Sequence, residues 1–134
     1  MVKSGIRSKK RLLYDDEQVV LEYFRLIQEK DIEQLMDLFV PDAVIYEPFS
    51  KLTGGFRGRS AIESFFRVVI MANDSLQYHL IIEKKSYLGI HRIDSENNNK
   101  NTANNSKVRA RFTFEFSTDY ILVCDYYANI SVTE

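Results

Sequence analysis

Two stretches near the start of the chain have apolar residues every three to four positions, the spacing of an amphipathic helix. The first predicted helix begins at Asp15 or Asp16, where acidic residues suit the positive end of the helix dipole, and it ends near Lys30. Its apolar face is Val19, Val20, Tyr23, Phe24 and Ile27. A second helix starts after the capping residue Asp31 and stops before Pro41, because proline cannot continue the hydrogen-bond ladder. The two helices are predicted to form a hairpin.

A short strand and a third helix follow. The strand is predicted over residues 43–46, and Pro48 ends its ladder, so that Glu47 falls at the end of the strand. Three glycines between residues 54 and 58 predict a loop. Ser60 and Glu63 have the spacing of a capping box ahead of an apolar run, which predicts a helix that closes at residues 73–74.

The second half of the chain changes to an alternating pattern. Residues 76–93, 107–118 and 120–132 are rich in aromatic and β-branched residues and are predicted to be long antiparallel strands. In the second of them Arg111, Thr113 and Glu115 alternate with Phe112 and Phe114, so one face is predicted to be wet and the other buried.

Helices that come first and strands that come second predict an α+β fold, with the helices packed against a strongly curved antiparallel sheet. At 134 residues the chain has the size of a single domain, which we assign to residues 15–134. Residues 1–14 are predicted to be a basic, disordered tail. The Asn-rich segment 96–107 is predicted to be a flexible hairpin loop.

Composition excludes several classes of partner. The formal charge of −1 and the pI of about 6.1 give no overall field that would favour nucleic acid or an anionic membrane. No apolar run approaches the roughly 20 residues of a membrane span, so we expect a soluble protein with no membrane partner. The single cysteine, Cys124, and the absence of a secretory signal favour a reducing, cytoplasmic setting.

Familiar cofactor and metal motifs are absent from the sequence. His79 and His91 are too far apart for a ligand pair of the usual spacing, so we expect no metal. No P-loop, G-x-G-x-x-G or G-x-S-x-G motif occurs, and we expect no cofactor.

A set of short motifs in the first half of the chain forms a recognisable pattern: Val19-Val20 followed by Tyr23, Asp31-Ile32, Leu38-Phe39, Asp42-Ala43, Glu47-Pro48, Gly58-Arg59, and Ala61-Ile62 followed by Phe65-Phe66. This pattern resembles the NTF2-like superfamily, and within it the SnoaL-like and ketosteroid-isomerase-like branch. The resemblance covers residues 15–72 well and the sheet loosely. The resemblance implies a bent sheet wrapped around three helices, a conical apolar cavity and, in many members, a homodimer formed through the outer face of the sheet.

The resemblance also implies a site. In ketosteroid isomerases a tyrosine of the first helix matches Tyr23, an aspartate before a proline matches Glu47, and an acid in a later strand matches Asp125 once about two residues are removed. Abstracting a proton beside a carbonyl needs a base and hydrogen-bond donors in a dry pocket. Glu47 would be the base, and Tyr23 and a protonated Asp125 the donors. Glutamate in place of aspartate moves the carboxylate by about one bond length, which puts steroid isomerisation itself in doubt.

Each of these residues also has an ordinary structural interpretation. Tyr23 lies on a buried stripe, where it could simply be core. Glu47 could pair with Arg57 or Arg59, and Asp125 could point to solvent by strand alternation. The walls of the expected cavity are Phe49, Phe56, Phe65, Phe66 and Tyr78.

Two main functions remain open at the level of the sequence. The first is a cofactor-free enzyme or binding protein in which Glu47 acts as a general base on an apolar carbonyl compound. The second is a non-catalytic dimer that binds a ligand or a protein, since one fold hosts many roles. A nuclear-transport-like adaptor, for which the basic tail is the specific hint, and hydration or dehydration chemistry are further alternatives.

Overall fold

The computed structural model describes residues 2–3, 16–47, 54–74, 77–94, 108–117 and 121–133. The Asn-rich segment 96–107, most of the basic segment 1–14, Pro48 and Phe49 therefore lie outside the described residues, as does the side chain of Tyr78.

Helix α1 spans Asp16–Glu29 and begins with two acidic residues, as predicted. Its buried face includes Val20, Tyr23 and Leu26. Lys30 follows the helix in a left-handed conformation (φ 61°), and its ammonium group pairs with Asp74 at the far end of the third helix. This turn reverses the chain into the predicted hairpin.

Helix α2 spans Ile32–Met36 and is shorter than the periodicity indicates. The carboxylate of Asp31 accepts a hydrogen bond from the backbone N–H of Gln34 at 3.1 Å, which confirms Asp31 as the N-cap. Beyond the helix, single-turn hydrogen bonds carry the chain to Phe39, so the apolar face continues past the last regular residue.

Helix α3 spans Gly58–Ala72. The predicted capping box is wrong, because the helix begins two residues before Ser60 and Arg57 occupies the N-cap position without a side-chain hydrogen bond. Gly58 instead donates its backbone N–H to the carbonyl oxygen of Ala43 at 3.0 Å. The end of the helix at Asn73 agrees with the prediction.

A small three-stranded antiparallel sheet lies beside α3, in the order β1-β2-β3. Its strands are β1 (Val2–Lys3), β2 (Val44–Ile45) and β3 (Phe56–Arg57). Strand β2 falls within the predicted strand. Strands β1 and β3 were not predicted, because a two-residue strand has no periodicity to read.

The larger sheet is four-stranded and antiparallel, in the order β5-β4-β7-β6. Its strands are β4 (Gln77–Ser86), β5 (Gly89–Arg92), β6 (Val108–Ser117) and β7 (Ile121–Thr133). The prediction of one strand over residues 76–93 is wrong, since the chain turns at Tyr87 and Leu88 and returns as β5. Gly89 enters the new strand with φ +123°, a conformation that glycine adopts readily.

The α+β prediction is confirmed: helices come first, and antiparallel sheets make up the rest. The alternation predicted for β6 is also confirmed, because Phe114 and Phe116 are buried while Arg111 is exposed. Side chains from α1, α2, α3 and the larger sheet share one hydrophobic core. No helix in the described part of the chain is long and apolar enough to cross a membrane.

Candidate functional site

Tyr23 lies at the centre of an aromatic cluster between α1 and the larger sheet. Its side chain is 4% exposed. Five ring centroids lie 5.0 to 6.5 Å away, all in edge-to-face orientation: those of Phe24, Phe39, Phe66, Phe112 and Phe114. Edge-to-face contacts at these distances are favourable for aromatic pairs, so the phenol ring is held in a defined position.

Burial among these rings raises the pKa of Tyr23 well above its usual range, because the surroundings penalise the phenolate. The hydroxyl group therefore stays protonated throughout the physiological range and is available as a hydrogen-bond donor.

Glu47 follows β2 and is half-buried. The position of β2 is fixed on both sides, since it pairs with β1 through Val44 and Lys3 and with β3 through Ile45 and Phe56. Ile45 is buried in the core, two residues before Glu47.

Gly55 packs directly on the strand that leads to Glu47. Its φ is +71°, and a Cβ placed there would lie 2.7 Å from the carbonyl oxygen of Ile45 and 2.9 Å from a methyl carbon of Val44. The loop can approach β2 this closely only because residue 55 has no side chain.

Asp125 lies on the outer face of the larger sheet. Its neighbour Tyr126 is fully buried, so strand alternation turns Asp125 away from the core. Its carboxylate accepts hydrogen bonds from Arg111 Nη2 at 2.5 Å and from Thr113 Oγ1 at 2.7 Å.

The surroundings of Asp125 do not suit a protonated donor. Partial desolvation raises the pKa of its carboxyl group, but the hydrogen bonds from Thr113 and Arg111 and the charges of Arg111 and Lys85 together outweigh that effect and hold the pKa below its usual range. The expectation of a neutral acid in apolar surroundings is corrected accordingly: Asp125 is an ionised partner of Arg111, on the side of the sheet opposite the aromatic cluster.

The predicted cavity walls divide between core and periphery. Phe66 is buried and contacts both Tyr23 and Phe65, with ring centroids 5.9 and 5.1 Å apart. Phe56 lies beyond Phe65 at 4.9 Å and is half-buried. These rings form one continuous apolar surface that leads from Tyr23 to β3.

Two of the pockets on the surface of the described residues are lined by neither Tyr23 nor Glu47. One, of about 100 Å³, lies between the end of α2 and the start of α3. Phe39 belongs both to this pocket and to the aromatic cluster, with its ring 6.3 Å from that of Tyr23. The other is an open groove of about 350 Å³ beside the β4–β5 turn, lined in part by Cys124 and Asp125.

The pocket beside Phe39 was not predicted from the sequence. Arg59 lines it, together with Met36 and Ile62, whereas the sequence pattern indicated Arg59 only as part of a family motif and as a candidate partner of Glu47. In the structure Arg59 lies 3.9 Å from Asp37 instead. The Gly58-Arg59 pair at the start of a helix was the sequence feature that could have indicated this pocket. The pocket itself forms only because the end of α2 packs beside that helix start.

Among the described residues, no group of three histidine, cysteine, aspartate or glutamate side chains lies close enough together to hold a metal ion. A model of the SnoaL-like domain family matches residues 20–119. Searches of curated proteins and of solved structures found no match.

Proposed function

The chain belongs to the SnoaL-like domain family, within the NTF2-like superfamily, and on this basis we propose that it binds an apolar carbonyl compound and that Glu47 acts on it as a general base. One observation carries the proposal: the phenol of Tyr23 is enclosed by aromatic rings and keeps its proton. A protonated donor in apolar surroundings stabilises a developing enolate oxygen far more than the same donor in water does.

The position of Glu47 supports its role as the base. Alternate residues of an extended chain share a side, so Glu47 is expected on the side of Ile45, which belongs to the core. Glu47 lies two residues beyond the end of β2 and is half-buried, so we place its carboxylate at the edge of the aromatic cluster and not inside it. A half-buried carboxylate keeps access to water, which a base needs to return its proton.

Asp125 has no part in this proposal as a donor. Tyr23 is then the single oxyanion donor among the candidates, with Phe66 and Phe65 as apolar walls. The rings around Tyr23 are closely packed, so the ligand must displace at least one of them. Phe39 is the best candidate, since it is half-buried and borders a pocket on its far side.

An exchange reaction tests the chemistry without knowledge of the natural substrate. A general base that attacks beside a carbonyl exchanges α-protons for deuterium in D₂O, which proton NMR follows for a panel of apolar ketones such as cyclohexanone and 2-cyclohexenone. Glu47→Gln should lower the protein-dependent exchange rate by about 10²- to 10⁴-fold. Tyr23→Phe should lower it by about 10²-fold.

Circular dichroism spectra of Glu47→Gln and Tyr23→Phe establish that the fold is retained, and matched variants show that the effects are specific to these two positions. Glu33→Gln changes an exposed glutamate on α2 and Tyr87→Phe changes an exposed tyrosine at the β4–β5 turn, and both should exchange at the wild-type rate. Exchange that persists in Glu47→Gln at the wild-type rate would reject Glu47 as the base.

A non-catalytic binding module is the second candidate function, and the close packing around Tyr23 favours it. The same experiment distinguishes the two: a ketone that binds at Tyr23 without any exchange above the buffer rate would identify a binding protein.

A homodimer formed through the outer face of the larger sheet is also part of the proposal. The outer face carries an exposed apolar residue, Val123, beside residues of both charge signs, the acidic Asp125 and the basic Lys85 and Arg111. A patch with both signs can pair with its own copy across a two-fold axis. Sedimentation equilibrium should give twice the chain mass, and Val123→Asp should shift it to the monomer.

A further inference from the structure

The pocket beside Phe39 has an apolar wall and one charged group at its rim. It is formed where α2 ends, the chain turns and α3 starts. Its lining residues are Met36, Phe39, Val40, Pro41, Arg59 and Ile62. Its volume of about 100 Å³ is below the roughly 300–1,000 Å³ of sites for drug-sized ligands, so only a small molecule fits.

The guanidinium of Arg59 is weakly engaged compared with other arginines of the described chain. Its contact to a carboxylate is with Asp37 at 3.9 Å, beyond hydrogen-bonding distance, and both side chains are more than half exposed. By contrast, Arg111 and Arg25 donate hydrogen bonds to carboxylates at 2.5 and 2.6 Å. Arg59 therefore retains N–H groups for a ligand.

We propose that this pocket binds a small organic anion, a carboxylate with a short branched or cyclic apolar body. The apolar body would contact Phe39 and Ile62, and the carboxylate would pair with Arg59 at the rim. Arginine presents parallel N–H groups that match both oxygens of a carboxylate. This site shares Phe39 with the proposed function but uses neither Glu47 nor Tyr23, so the Arg59 and Asp37 variants test it without testing the general base.

Charge and size together select this ligand class. A neutral apolar molecule would leave Arg59 without a partner, while an inorganic anion would leave the apolar wall exposed to water. A ligand of about six heavy atoms that makes both contacts has an expected dissociation constant on the order of 1 mM, given the usual limits on binding energy per atom.

Asp37 competes with the ligand for Arg59 and also repels it. Removing this charge with Asp37→Asn should tighten binding by about two- to threefold, the scale of an exposed ion pair. Removing the cation with Arg59→Gln should weaken binding by about tenfold. Opposite changes in binding affinity for Asp37→Asn and Arg59→Gln are expected only if the ligand is an anion that pairs with Arg59.

The experiment is an NMR titration of the full ¹⁵N-labelled chain with sodium isobutyrate, with isobutyramide as a neutral ligand of the same shape. Isobutyrate should give saturable shifts centred on residues 36–41 and 59–62, and isobutyramide should bind at least tenfold more weakly. Arg67→Gln is the control variant, because Arg67 is on the same helix, is similarly exposed and lies outside the pocket. It should titrate like the wild type.

Three results would overturn the proposal: isobutyrate shifts centred elsewhere, equal binding of isobutyrate and isobutyramide, or unchanged affinity in Arg59→Gln. Amide spectra of each variant, recorded without ligand, establish that the fold is retained. The comparison of the two ligands on the wild-type chain needs no variant at all.

Discussion

Gly55 gives the sharpest stability prediction, because three glycines of one short segment differ in what an added methyl group would meet. Gly55→Ala puts a Cβ in the left-handed region and 2.7 Å from the carbonyl oxygen of Ile45. Gly58→Ala has the same backbone problem, with φ +86°, but nothing within 4 Å. Gly54→Ala has open space and no positive φ. The series separates backbone strain from steric overlap.

The expected magnitudes follow from these two contributions. A left-handed conformation costs a non-glycine residue about 1–2 kcal/mol. Overlap with a fixed neighbour adds about 1–3 kcal/mol, and the Ile45 oxygen cannot move freely because β2 is paired on both sides. Gly55→Ala should therefore lose about 2–5 kcal/mol, Gly58→Ala about 1–2 kcal/mol, and Gly54→Ala should change by less than about 0.5 kcal/mol or gain slightly.

Urea unfolding followed by circular dichroism measures this series. The midpoints should fall in the order Gly54→Ala, Gly58→Ala, Gly55→Ala at an unchanged slope. Equal midpoints for Gly54→Ala and Gly55→Ala would refute the close approach of the loop to β2, and with it the positioning of Glu47.

Three further predictions test other parts of the structure. Phe114→Ala should lower the free energy of unfolding by about 3–5 kcal/mol in urea titrations, because this buried ring contacts Tyr23, Phe112 and Tyr126. The control Tyr87→Ala, at an exposed turn, should lower it by less than about 0.5 kcal/mol. Asp31→Ala should cost about 0.5–2 kcal/mol, with Asp31→Asn largely retaining stability as an alternative cap, and equal losses in both would argue against capping. Because the pKa of Asp125 is lowered on folding, the folded state binds fewer protons than the unfolded state in acid. The contribution of Asp125 to folding stability is therefore present above the unfolded pKa of about 3.9 and is lost as pH falls through the folded pKa. The stability difference between wild type and Asp125→Asn should hold at pH 7 and shrink below about pH 4; a difference that grows in acid would contradict the ion pair with Arg111.

Much of the fold could be predicted because periodicity reports burial directly. The apolar stripe of α1 and the alternation of β6 are each properties of a single element, visible in a short window of sequence. The N-cap role of Asp31 could be predicted equally well, because a capping residue acts within one turn of the helix that it precedes.

The features that were missed are a turn inside an apolar run and a helix start that depends on a contact with a distant element. Tyr87 and Leu88 continue a strand-like composition, yet they are 97% and 83% exposed at the turn between β4 and β5. Ser60 and Glu63 have the spacing of a capping box, but a hydrogen bond from Gly58 to Ala43 starts the helix earlier. Gly89, directly after Tyr87 and Leu88, was a local signal for the turn, whereas the contact between Gly58 and Ala43 leaves none.

The candidate site was predictable only in part for the same reason. The position of Tyr23 on a buried stripe follows from helical periodicity, but the identity of the rings around it requires the packing of β6 against α1. Asp125 could not be assigned to a face from its neighbours, because apolar side chains stand on both sides of it. Its pairing with Thr113 and Lys85 across the sheet decides the face.

The central claim, that an apolar carbonyl compound reaches Tyr23 inside the aromatic cluster, is tested most directly by NMR of the chain with ¹³C at the tyrosine Cζ position. Tyr23→Phe assigns the Tyr23 signal, and cyclohexanone is then titrated into the wild-type chain. A saturable shift of the Tyr23 signal, with the exposed Tyr87 signal unmoved, is the result that the account predicts. Shifts confined to exposed tyrosines, or no saturable shift of Tyr23, would contradict it.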